Sequence, residues 1–208
     1  MTVEQSLLAF SLAAMVLAAT PGIDTALVLR MSISAGARHG VSAAFGIAAG
    51  CLLWAAVVAT GLGALLAASG TLFAVVKFVG AAYLVWQGVL LLRSRGLRAD
   101  APAVAASESL GAAFAKGFLT NALNPKVGIF YLTLLPQFVP VGVEVATFSF
   151  LLASIHVAMS LLWFVLLIAL TRRSVLFLQQ PAVVAALDRL TGVVFLGFGL
   201  KLAVSQPA

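Results

Sequence analysis

Apolar residues run along this chain in long blocks, and polar residues gather in the gaps between them. The charge-free stretches are Gln5–Ile23, Val41–Val76, Phe78–Leu92, Val127–Val143, Val145–Thr171 and Leu190–Leu200. A membrane-spanning helix needs about 20 mainly apolar residues. Val41–Val76 is too long for one such helix, and Ala67-Ala68-Ser69-Gly70-Thr71 offers a turn inside it. The pattern predicts six spans, at roughly residues 4–29, 41–66, 72–93, 114–137, 146–170 and 185–204. The last is the least apolar, and Asp188 and Arg189 blur its start. Only short connections remain, with no room for a soluble catalytic or nucleotide-binding domain.

Composition agrees with that pattern. The chain is 63% hydrophobic and 9% charged, with a mean hydropathy of +1.17, whereas a soluble domain is about one quarter charged. The expected class is therefore an all-α integral membrane protein. A net charge of +6 would suggest nucleic acid in a soluble protein. Here the basic residues cluster instead. Arg30 and Arg38 lie between spans one and two. Arg93, Arg95, Arg98 and Lys116 flank the connection between spans three and four. Arg172, Arg173 and Arg189 flank the last connection. The positive-inside rule places these connections in the cytoplasm and both termini outside, with no nucleic-acid partner. Residues 4–19 lack a basic n-region, so they read as a retained helix rather than a signal peptide. The single cysteine, Cys51, excludes an intramolecular disulfide and reads as a small buried apolar residue.

The two halves repeat in order. Pro21 matches Pro125, Leu52-Leu53-Trp54 matches Leu161-Leu162-Trp163, and Lys77-Phe78-Val79-Gly80 matches Arg189-Leu190-Thr191-Gly192. Three helices per half would make the second copy enter the membrane from the opposite side. That is a 3+3 inverted repeat whose halves meet near the midplane. Residues 1–93 form the first repeat, 94–113 a polar cytoplasmic linker and 114–208 the second repeat.

Two proline breaks carry the candidate chemistry: Thr20-Pro21-Gly22-Ile23-Asp24 in helix 1 and Asn121-Ala122-Leu123-Asn124-Pro125-Lys126 in helix 4. Proline removes a backbone donor and clashes with the preceding turn. In lipid the freed groups must find protein, water or ligand, so paired breaks point to a transporter's substrate site. Thr20 and Asn124 fit N-caps followed by proline at the first helical position. Each restarted helix would then offer free N–H groups to a carboxylate. Asp24 and Lys126 add one charge of each sign, which suits a zwitterion. Each charge costs at least about 2.5–3.5 kcal/mol at mid-membrane. Asp24 is assigned to a substrate ammonium or a coupling proton, and Lys126 to a carboxylate or to Asp24 itself. A purely structural ion pair is the competing reading. Asn121 and Asn124 either donate to substrate or cap the broken helix. His156, near the middle of span five, is either a proton relay or a histidine bonded to a neighbouring helix. Tyr83 is a secondary candidate, because its hydroxyl needs a partner at depth. The series Gly36, Gly40, Gly46 and Gly50 suits close helix approach.

These segments resemble the LysE/RhtB amino-acid exporter family. The resemblance rests on Thr20-Pro21-Gly22-Ile23-Asp24, on Lys77 to Gly88, on Lys116 to Lys126, and on Leu135-Pro136-Gln137-Phe138. It covers nearly the whole chain, and the Asn-Pro-Lys block is its most specific element. Where the family has a second proline this chain has Ile23, so the first break is expected to be less rigid. The resemblance implies an exporter of amino acids or close derivatives in the bacterial cytoplasmic membrane, driven by an ion gradient, usually protons. It implies no enzyme activity and no cofactor. It leaves a single chain and a homodimer both open.

Rival classes fare less well. A redox carrier needs paired thiols. A divalent-metal exporter wants clustered ligands, and only His39 and His156 are present. An intramembrane enzyme needs a convergent nucleophile and base. A passive channel or another small-solute exporter on the same fold differs from a coupled exporter in what it does, since only coupling accumulates solute.

Overall fold

The computed structural model describes residues 1–20, 22–68, 70–93, 109–170 and 180–204. Pro21 and residues 94–108 of the expected linker lie outside them. The described residues are helical, with no strand among them. In chain order the helices are α1 (Val3–Ala19), α2 (Ile23–Ser34), α3 (Ala37–Ala68), α4 (Gly70–Leu92), α5 (Leu110–Ala122), α6 (Pro125–Ile129), α7 (Val145–Ala169) and α8 (Pro181–Val204). After α6 the backbone widens into a π-helix over Phe130–Leu134 and then tightens into a 3-10 turn over Leu135–Phe138.

Local chemistry sets several of these ends. Thr2 caps α1 in a capping box with Gln5, through reciprocal bonds of 3.1 and 3.2 Å. Ser109 caps α5 by accepting from the Ala112 amide at 3.1 Å, and Glu144 caps α7 through the Ala146 and Thr147 amides at 2.9 and 2.6 Å. Gly36 turns the chain between α2 and α3 with φ of +94°, a left-handed conformation open to glycine.

Three helices are long and apolar enough to cross a membrane among the described residues: Ala37–Gly61 within α3, α7 and α8. The pair α1 and α2 makes a fourth if it is one span bent by 52°. Phe78–Leu92 of α4 is a shorter apolar segment. The expected span over residues 114–137 is not one continuous α-helix but α5, α6 and the π and 3-10 turns.

Two apolar clusters hold the helices together. One surrounds Phe10, Phe130, Tyr131 and Phe138, with the Phe10 and Phe138 rings edge-to-face at 5.4 Å. Ser6 donates to the Phe138 carbonyl in the same region. The other gathers Leu27, Met31, Ala43, Ile47 and Phe164. Meanwhile Leu8, Leu12 and Met15 on α1, and Leu162, Val165 and Leu166 on α7, point outward. Outward rows of large apolar side chains suit a helix facing lipid rather than water.

Packing pairs α3 with α5 and α7, α1 with α7, α2 with α3, and α4 with α8. Two of these contacts run backbone to backbone. A Cβ on Gly46 would lie 2.0 Å from the Phe114 carbonyl, and one on Gly117 would lie 2.1 Å from that of Ala43. Gly88 and Gly192 approach reciprocally in the α4–α8 pair, at 2.9 and 2.8 Å by the same measure. Small residues permit such approaches between membrane helices.

Candidate functional site

The site forms where the α1–α2 interruption meets the α5–α6 interruption. Asn124 caps α6: its Oδ1 accepts from the Lys126 amide at 3.0 Å, and Pro125 opens the helix. That matches the pattern read from Asn-Pro. Proline costs nothing at this position because its missing N–H would have had no intrahelical partner.

Thr20 corrects the sequence expectation. It is the C-cap of α1, not the N-cap of the restarted helix. Its hydroxyl turns back to donate to the Val16 carbonyl at 2.7 Å and also bonds the Thr191 hydroxyl of α8. Gly22 is the N-cap of α2 and supplies no side-chain hydrogen bond. Threonine can satisfy the carbonyls of the turn behind it as well as the amides ahead, and at Thr20 the backward bonds win. The expected free helix end is therefore altered too. Asp24 lies in the first turn of α2 and already complements its dipole, and α6 has only five α-helical residues.

A cavity of about 50 Å³ lies between the breaks. From the first break it is lined by Thr20, Gly22 and Asp24, and from the second by Asn121, Asn124 and Lys126. Cys51 of α3 and His156, Ser160 and Phe164 of α7 close it. At about 10–15 Å³ per water this space holds only a few waters.

Asp24 is the centre of the polar contacts. Its Oδ2 accepts from the Asn121 amide at 2.8 Å across the two breaks, and Asn124 lines the same cavity. Asp24 Oδ1 is buried with no hydrogen-bond partner, as is Asn121 Oδ1. The Lys126 ammonium reaches toward Gly22, with Nζ 4.0 Å from where a Cβ on that glycine would sit. Lys126 lies within electrostatic reach of both Asp24 and Asp188 of α8. The Asn121 amide is seated against Gly50, whose missing Cβ would lie 2.7 Å from Asn121 Oδ1.

The structure thus brings together Thr20, Gly22, Asp24, Asn121, Asn124, Lys126 and His156. His156 Nδ1 pairs with the Tyr131 hydroxyl at 2.9 Å, so it is bonded to a neighbouring helical segment and also faces the cavity. Tyr83 is elsewhere: its hydroxyl accepts from Gln87 at 3.0 Å and its ring packs edge-on against Trp86 at 5.5 Å. Sequence reasoning missed Ser160, Tyr131, Thr191 and Asp188. For Asp188 the signal was present, since it is the only acid in α8, as Asp24 is in α2. Among the described residues no group of three His, Cys, Asp or Glu side chains is placed to hold a metal ion.

A helical chain with outward-facing apolar rows and helices long and apolar enough to cross a bilayer is of the multi-pass membrane class. The chain belongs to the LysE type translocator family, which it matches over residues 15–206. It is 30% identical over 208 residues to the membrane protein YrhP of Bacillus subtilis, covering 96% of this chain and 99% of the relative. It is 28% identical over 201 residues to the homoserine/homoserine lactone efflux protein of Salmonella typhimurium, covering 96% and 97%. The threonine efflux protein of Escherichia coli K12 is 27% identical over 191 residues, covering 90% and 92%. No solved structure matches the chain.

Proposed function

We propose that this protein is a secondary transporter that exports amino acids or close derivatives from the bacterial cytoplasm in exchange for protons. It is a carrier and not an enzyme, and it needs no cofactor. The observation that carries the reading is the convergence of both helix breaks on one cavity, with Asp24 and Lys126 as opposite charges in it. An α-amino acid presents one ammonium and one carboxylate. The ammonium goes to the open Oδ1 of Asp24 and the carboxylate to Lys126. A proton and the ammonium compete for Asp24, which is the elementary requirement for exchange. The names of the relatives point to small hydroxylated amino acids such as threonine and homoserine, or to the lactone of the latter.

The architecture proposed for this activity is six spans in the inner membrane, with both termini outside. The spans form two inverted three-helix repeats, residues 1–93 and 114–208, joined by a cytoplasmic linker at 94–113. Helices 1 and 4 of that scheme are the ones broken at Pro21 and Pro125. The packing pairs support this symmetry. The second helix of the first repeat (α3) packs on the opening helix of the second repeat (α5), and the equivalent pair is α7 with α1. The third helices, α4 and α8, pack on each other, as a two-fold relation requires.

The test is counterflow in proteoliposomes with a panel of labelled amino acids, with and without an imposed pH gradient. Gradient-driven accumulation of one amino-acid class is the expected result. Equilibration without accumulation would make the protein a channel or uniporter, and no movement of any amino acid would overturn the reading.

A further inference from the structure

Helix α7 presents His156, Ser160 and Phe164 to the cavity. These positions are four residues apart, so they form one row along a single face of the helix. Beyond the two breaks and the first turn of α2, the lining is apolar apart from the Cys51 thiol and the first two members of this row. Both are deeply buried, His156 at 4% and Ser160 at 8% exposure. The His156 ring is fixed on one side. Its Nδ1 pairs with the Tyr131 hydroxyl at 2.9 Å, and the rings of Phe130 and Tyr131 pack against it with centroids 5.6 Å away. That leaves Nε2 as the remaining hydrogen-bonding atom of the ring. Among the described residues neither Nε2 nor the Ser160 hydroxyl has a hydrogen-bond partner. Polar atoms kept in a mostly apolar wall cost free energy until something pairs with them.

We propose that His156 Nε2 and the Ser160 hydroxyl form a side-chain subsite that reads a hydroxyl group on the cargo, and so select hydroxylated amino acids over their apolar isosteres. The proposal rests on the transporter reading above and deepens it by naming the groups that set specificity. With the ammonium at Asp24 and the carboxylate at Lys126, the cargo is held at the breaks by its backbone, and α7 is the wall that keeps polar groups for its side chain. A hydroxyl both donates and accepts. It therefore satisfies Nε2 in either tautomer, and Ser160 as well. A methyl of similar size satisfies neither, and a site that leaves its buried polar groups unpaired rejects such an isostere strongly. Tyr131 does not line the cavity. It is a positioning residue that acts by holding the imidazole.

The experiment is counterflow in proteoliposomes holding the full chain, with labelled threonine and, separately, labelled homoserine. Each is competed with its unlabelled self and with its isostere, valine for threonine and norvaline for homoserine. The wild type should prefer the hydroxylated member of at least one pair by about tenfold or more, as two neutral hydrogen bonds allow. Ser160→Ala and His156→Leu should each bring that ratio to within about threefold. Tyr131→Phe should lower the ratio by a smaller factor, whereas a merely structural role would depress both members of the pair alike. Equal treatment of both pairs by the wild type, or a Ser160→Ala ratio equal to that of the wild type, would overturn the proposal. If His156→Leu fails to fold, Ser160→Ala and Tyr131→Phe decide the question, because each removes a single oxygen atom. A wild type that moves amino acids but prefers valine and norvaline leaves the transporter reading standing and overturns this one. If it moves no amino acid, both fall.

Discussion

At Asn124 the restarted helix carries its own side-chain cap, whereas at Gly22 it carries none. The second break is satisfied locally: Asn124 accepts from the Lys126 amide and its carbonyl accepts from Gly128 at 3.0 Å. The first break depends on distant parts of the chain. Thr20 bonds Thr191 of α8, and Asp24 bonds Asn121 of α5. A locally capped break keeps its shape whatever its neighbours do. A break secured by long-range contacts changes shape when they change, and there the ionisable carboxylate is found. The difference separates a break capped within itself from one secured across the fold, while both contribute groups to the cavity.

That separation can be broken or sharpened by substitution, and the largest effect is expected at Asp24. Asp24→Asn should lower exchange by about 100-fold, in keeping with a charge-assisted contact of up to ~3 kcal/mol, and leave the unfolding temperature near that of wild type. Normal accumulation of substrate by the mutant would remove Asp24 from the mechanism. Gly50→Ala comes next. Its new Cβ would drive into Asn121, and overpacking of this kind costs about 1–3 kcal/mol. Exchange should fall about tenfold as Asn121 leaves Asp24, and a variant with wild-type transport would show that the Asn121 contact is dispensable.

Asn124→Ala tests the other side of the comparison. It should destabilise by about 1 kcal/mol, the usual cost of a lost N-cap, seen as earlier thermal unfolding in detergent. Gly22→Ser gives the first break the cap it lacks and has open space for a Cβ apart from Lys126 Nζ at 4.0 Å. Stability should rise by only a few tenths of a kcal/mol, while transport falls because the new hydroxyl crowds the ammonium. The smallest effect is expected at a third cap, Glu144, exposed at the start of α7. Hydrogen bonds from the Thr147 side chain and from the Thr147 and Ala146 amides hold its carboxyl below the ordinary value of 4.5. A lowered folded value means the contribution is fully present above pH 4.5 and is lost as pH falls through that lower value. Glu144→Gln should remove this acid-side dependence from unfolding curves taken across pH, and Asn124→Ala should leave it intact.

Much of the site was legible because charge is costly in an apolar stretch. Asp24 and Lys126 stood out for that reason, and Asn-Pro identified the cap at Asn124 from local chemistry alone. Thr20 misled because threonine before proline suits an N-cap, while the partner that drew it backward, Thr191, is distant in sequence. Asp188 was passed over for a related reason. Beside Arg189 it only blurs the start of the last span, yet the fold leaves it 7% exposed. The π-helix over Phe130–Leu134 left no periodic trace in the sequence, and its Phe130 and Tyr131 are buried in the larger apolar cluster.

The glycine seams have a mechanical consequence. Gly46 and Gly117 let α3 and α5 meet backbone to backbone, and α2 packs along α3. Gly88 and Gly192 weld α4 to α8, and α8 grips the end of α1 through Thr191 and Thr20. Both seams therefore join their helices on glycine alone, and a methyl group at any of the four positions would force the joined backbones apart.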